Sequence, residues 1–149
     1  VSSGVEVFLD MNERELIENL SSQLHSLLLE DKNPDLKRLY PVTYLNDPDK
    51  EADFVALVRD DLLLSRVEAV ETVSRTINNR LITYKEFDAW ISTLTSLRLV
   101  LGTRLDISED DFFDPNQDDA PSRALLAWLG YLLEESINTA KELLSTNTE

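Results

Sequence analysis

Residues 83–105 read TYKEFDAWISTLTSLRLVLGTRL, and the fold depends on how this stretch is understood. Thr83 followed three residues on by Glu86 is a capping box, which predicts a helix start. At about 100° per residue, Phe87, Trp90, Ile91, Leu94, Leu97, Leu101 and Leu105 share one arc. Leu99 and Val100 point elsewhere, so the C-terminal half is apolar nearly all round. Such a helix is normally enclosed by others. From Ala89 to Leu105 there is no Asp or Glu, although the chain carries 29 of them. The only charges in that window are Arg98 and Arg104, and the arc places Arg98 inside the apolar face. The stretch predicts the central helix of an all-α domain, a bundle of about five helices.

Composition sets the outer bounds. A chain of 149 residues fits one domain over 1–149, large enough for a core without staples. There is no cysteine, which excludes disulfides, thiolate metal sites and a Cys nucleophile, and fits a reducing compartment. The longest apolar run, Ala124 to Leu133, is about half of what a membrane span needs. The opening residues VSSG form neither a charged nor an apolar leader region, and the missing initiator Met suggests a start inside a longer product or after a tag scar. Cytoplasmic is the expected location. The formal charge is −15, from 14 basic against 29 acidic residues. That balance argues against nucleic acid, whose binders need a basic footprint, and against an anionic membrane surface.

The rest of the chain supplies the helices around the central one. Residues 1–10 suggest an arm, with Glu6 to Leu9 extended. Asn12 with Glu15 predicts a capped helix to about Glu30, burying Leu16, Leu20, Leu24, Leu27 and Leu28 with Ile17 beside them. His25 falls on the polar face. Pro34 breaks that helix, and a connector follows in which Leu36, Leu39, Tyr40 and Tyr44 can pin the chain to the core between Pro41 and Pro48. Asp47 and Pro48 start a long helix to about Asn78. It carries apolar rows on several sides and a polar seam of Asp61, Ser65, Glu68 and Thr72. The short link to Thr83 predicts an antiparallel hairpin. Residues 106–121 read as an acidic loop. Pro121 opens a last helix to about Leu144, with Trp128 at the border of its apolar face and Tyr131 on the polar side. Residues 145–149 should fray.

No catalytic set and no metal or cofactor site emerges. Counting from Asp106, the acidic loop has Asp111 where a calcium loop needs glycine and Gln117 where it needs glutamate. Three glycines make no phosphate loop, and a single histidine excludes a His-pair zinc site. An enclosed guanidinium needs a partner, because a broken buried pair costs roughly 3–5 kcal/mol. The favoured reading for Arg98 and Arg104 is an internal ion pair with Asp61, Glu68 or Asp88. The alternative is a pocket for a small anionic ligand, whether binding or enzymatic, lined by Arg98, Thr103 and Arg104. Trp90 reads as core. Trp128 and Tyr131 are the contact candidates, since such aromatics are enriched at interfaces.

Three stretches carry a family resemblance: RLYPVTYLNDPDKEADF with the following RDDL, DAWISTLTSLRLVLGTRLDISEDD, and AWLGYLLEESI. Together they resemble the mostly actinobacterial domain-of-unknown-function family two-thousand-seventeen. Arg38, Pro41, Tyr44, Phe54, Asp61, Trp90, Arg98, Gly102, Thr103, Arg104 and Trp128 match its pattern, and Leu101 to Leu105 is the most specific part. Asp106 departs from it where glycine is common, and Val58 and Arg59 have no match in the pattern. The resemblance implies a cytoplasmic helical protein whose genes often lie beside the one for the Clp protease adaptor. The combined expectation is a non-enzymatic interaction or regulatory module acting on a protein partner or on itself, including a homodimer.

Overall fold

The computed structural model describes residues 4–30, 34–39, 48–105 and 120–147. Four α-helices form the body: α1 (Met11–Leu29), α2 (Pro48–Thr76), α3 (Tyr84–Arg104) and α4 (Ala120–Asn147). A 3-10 helix, Pro34–Leu39, lies between α1 and α2, and two short strands, β1 (Val5–Glu6) and β2 (Leu81–Ile82), pair antiparallel. Among the described residues the expected count of about five helices is corrected to four, and the described part of the connector is a 3-10 segment and not an α-helix. The Asp47 cap, the prolines and tyrosines of residues 40–47, and the acidic loop over 106–119 lie outside the described residues.

α3 occupies the centre, packed against α1, α2, α4 and the 3-10 segment. Its start is the one the sequence predicts. The Glu86 amide donates to Thr83 Oγ1 at 3.1 Å, and the Thr83 amide donates to Glu86 Oε1 at 2.9 Å. Its buried face is turned from the predicted arc. Besides Phe87, Trp90, Leu94 and Leu97 it includes Thr93, Ser96 and Val100, so small side chains fill one flank. That rotation leaves Arg98 at the edge of the buried face and exposed, which corrects the expectation of an enclosed guanidinium.

α1 begins two residues earlier than predicted. Asp10, not Asn12, caps it: Asp10 Oδ1 accepts the Glu13 amide at 2.7 Å, and Glu13 Oε1 accepts the Asp10 amide. Both spacings satisfy the local rule, and tertiary contacts select between them. Arg14 donates to the carbonyl oxygens of Val7, Leu9, Ile77 and Asn79 at 2.8–3.0 Å, fixing the start of α1 against the end of α2. Its guanidinium thereby meets the carbonyl-rich terminus of α2, where a cation is favoured. The buried stripe of α1 runs through Ile17, Ser21, Leu24 and Leu28, and Leu16 is exposed.

The core has two lobes. One joins α1, the 3-10 segment, α2, α3 and α4 through Leu24, Leu28, Leu36, Leu39, Val70, Leu97 and Leu129. The other gathers Ile17, Val73, Ile77, Ile82, Phe87 and Trp90 under the N-terminal arm. Ile91, Trp128 and Leu132 pack against both. Trp90 is buried, and its Nε1–H donates to Thr76 Oγ1 at 2.8 Å, so the indole's polar atom is satisfied. Of the apolar rows on α2, Leu57 and Leu64 are exposed. Gly4 is required where it stands, because an added Cβ would collide with the backbone carbonyl of Ile82.

Candidate functional site

The 3-10 segment is held by three basic side chains. Arg104 Nε donates to Asp35 Oδ2 at 2.8 Å. Arg66 donates to Leu39 O at 2.8 Å and to Ser96 Oγ at 3.0 Å, tying that segment to α2 and α3 at once. Arg38 lies over Gly102, with its Nη1 3.1 Å from where a Cβ would stand. The Leu101–Leu105 stretch thus reads as a clamp: a glycine that leaves room for one guanidinium and an arginine that pairs with a carboxylate.

This geometry redistributes the predicted site residues. Arg104 does form an ion pair, with Asp35 and not with Asp61, Glu68 or Asp88. Thr103 donates its hydroxyl to Leu99 O within its own helix. Glu68 and Asp88 line a polar groove between α2 and α3 together with Arg75 and Lys85, and Asp61 is exposed on α2. Arg98 lines a groove on α4, and Arg104 a small hollow with Leu20, Leu24 and Leu101. Arg66, a part-buried cation that periodicity does not single out, ties α2 to α3 and to the 3-10 segment, as Arg14 ties α1 to the end of α2. Trp128 is half-buried between the two core lobes, whereas Tyr131 is 59 % exposed.

Arg98 belongs to a different feature. The core-facing side of α4 is Leu125, Leu129, Leu132, Leu133 and Ala140. Its outer side, at helical spacing, presents Arg123, Ala127, Gly130, Glu134, Asn138 and Lys141 beside Leu126, Tyr131 and Ile137. Arg98 reaches across from α3 to complete a groove of about 710 Å³. Its guanidinium passes over Gly130, with Nε 3.5 Å from an added Cβ. Among the described residues, Arg98, Arg123 and Lys141 line this groove with one carboxylate, Glu134, on a chain whose net charge is −15. From Arg123 to Lys141 the strip is about 27 Å long. Tyr131 and Ile137 offer apolar area along it, and both are exposed.

Gly130 adds a second observation. Glycine inside a helix costs about 0.5–1 kcal/mol relative to alanine. The nearest atoms to an added Cβ stand at ordinary van der Waals distance, so the fold itself does not demand glycine there. The space over Gly130 is taken by the Arg98 guanidinium.

Among the described residues, no group of three His, Cys, Asp or Glu side chains could hold a metal ion. No helix there is long and apolar enough to cross a membrane. His25 Nε2 lies 3.3 Å from Glu71 on a partly exposed face, an ion pair only when the imidazole is protonated.

Residues 1–140 match the family described as Domain of unknown function (DUF2017). The chain belongs to that family. No curated protein and no solved structure matches it significantly. The DUF2017 match spans the arm, all of α1 to α3 and most of α4, so the Leu101–Leu105 clamp and the outer groove of α4 as far as Asn138 fall within it, with Lys141 one residue beyond.

Proposed function

We propose that this DUF2017 chain is a non-enzymatic protein-interaction module whose docking surface is the outer groove of α4, and that the partner lays an acidic amphipathic helix along it. The observation that carries the reading is the alignment of Arg98, Arg123 and Lys141 with exposed Tyr131 and Ile137 on an otherwise strongly acidic molecule. Charge complementarity selects an acidic partner, and Leu126 and Ile137, which share one face of α4, offer apolar area along its axis to a helix. A strip of about 27 Å corresponds to a helical segment of about 18 residues. The Arg98 guanidinium, seated over Gly130, sets a positive charge at the middle of that strip. A regulatory role and a link to Clp proteolysis belong to the same proposal, and their support is the family resemblance. Cytoplasmic placement belongs to it too, supported by the absence of cysteine.

The test uses a labelled peptide of about 18 residues with leucines on one face and glutamates on the other, and a twin with lysine for glutamate. Fluorescence anisotropy should show binding of the acidic peptide alone, weakened by salt and by Arg98→Glu, with amide shift changes along α4. Equal binding of both peptides, or shifts confined to other helices, would overturn the proposal. Affinity capture from the host with wild type and Arg98→Glu, checking Clp components, then names the partner. A concentration-dependent dimer lost in Arg98→Glu, seen by light scattering, would replace the heterologous helix with a second copy.

A further inference from the structure

A second cavity, of about 280 Å³, lies beneath the N-terminal arm, with a chemistry opposite to that of the α4 groove. Its floor is the buried surface of Ile17, Phe87, Trp90 and Leu94. Phe8 and Tyr131 stand at its mouth, 82 % and 59 % exposed, so four aromatic rings border one space. Among the described residues its charged lining is two carboxylates, Glu6 on the arm and Glu135 on α4, with no Lys or Arg. Among the described residues neither carboxylate is in an ion pair.

We propose that this cavity binds an amphiphilic organic cation, a single aromatic ring bearing an ammonium head. The volume is near the lower end for small-molecule sites, which suits one ring and excludes long acyl chains. The floor removes an apolar body from water. The aromatic faces attract a cation through their quadrupoles, and the two carboxylates complete the recognition of positive charge. An anionic ligand of the same shape meets like charge at the mouth, and a neutral one leaves both carboxylates without a counter-charge. The site is separate from the docking groove except at Tyr131, which borders both.

Phenethylamine, its neutral isostere phenethyl alcohol and anionic 3-phenylpropionate form the probe set, read by intrinsic tryptophan fluorescence and by amide shift mapping on the intact chain. The amine should bind about tenfold more tightly than the alcohol, with the carboxylate weaker still. Glu6→Gln combined with Glu135→Gln, both at exposed positions, should bring the amine down to the alcohol's affinity. Thr139→Phe, a substitution at the rim, should abolish binding of both with the melting temperature retained. Equal affinity for all three probes, preference for the anion, absence of binding at millimolar concentration, or retention in Thr139→Phe would each overturn the proposal. The double glutamine variant should leave the acidic peptide's affinity for α4 unreduced, so failure of either site is read separately.

Discussion

Glu86 is held below the usual carboxylate range, first because it accepts the Thr83 backbone N–H, with the Thr83 side chain and the Arg75 guanidinium adding and desolvation opposing. A carboxyl group depressed in the folded state contributes stability that is present above its unfolded value of about 4.5 and is lost as pH falls through the folded value. Thermal melts should therefore show Glu86→Gln destabilised at pH 7, with the gap to wild type closing as the solution is acidified below 4.5. Gly130→Ala should raise stability by about 0.5–1 kcal/mol in denaturant titrations, because the Arg98 guanidinium over it stands at ordinary contact distance. An alanine that destabilises would show that this guanidinium needs the space. Thr93 Oγ1 is buried and without a hydrogen-bond partner among the described residues. Thr93→Val, of nearly equal volume, should stabilise by about 1 kcal/mol in the same assay.

At the scale of elements, much of the fold was legible because its signals are local. The Thr83–Glu86 box, the span of α2 from Pro48 and the apolar stripe of α4 each depend on residues three or four apart. What escaped depends on distance along the chain. Asp10 and Asn12 both begin acceptable capping boxes, and the choice was made by Arg14 gripping carbonyls up to 65 residues away. The partner of Arg104 is Asp35, 69 residues earlier. Arg98 was misplaced because periodicity gives an angle on a helix and not the neighbour at that angle; the small flank of Thr93, Ser96 and Val100 turned the buried face away from it. The 3-10 segment hangs from this same network. Arg66→Met should lose about 1.5–3 kcal/mol, since two charged hydrogen bonds vanish and Leu39 O loses a donor. Arg104→Met should lose only about 0.2–1 kcal/mol, because its pair with Asp35 is partly open to solvent. Urea titration of the two variants separates them.

Across the whole molecule, the two core lobes differ in how they are closed. The larger is bounded by helices, whereas the smaller is capped by an arm held through a two-residue ladder, the Val7 amide to Arg80 O at 2.8 Å, and the fork of Arg14. Native-state hydrogen exchange should find the Val7 amide opening at a free energy well below that of Leu97 in α3, and Arg14→Ala should lower the first without an equal change in the second. Equal protection at both positions would mean that arm and bundle open together. The arm's seat over Ile82 also rests on Gly4 having no side chain. A thin strap over a greasy chamber can be raised at little cost while the timbers beneath keep their joints. A small guest can therefore come and go many times in the life of one folded molecule, without waiting for the rest of it to come apart.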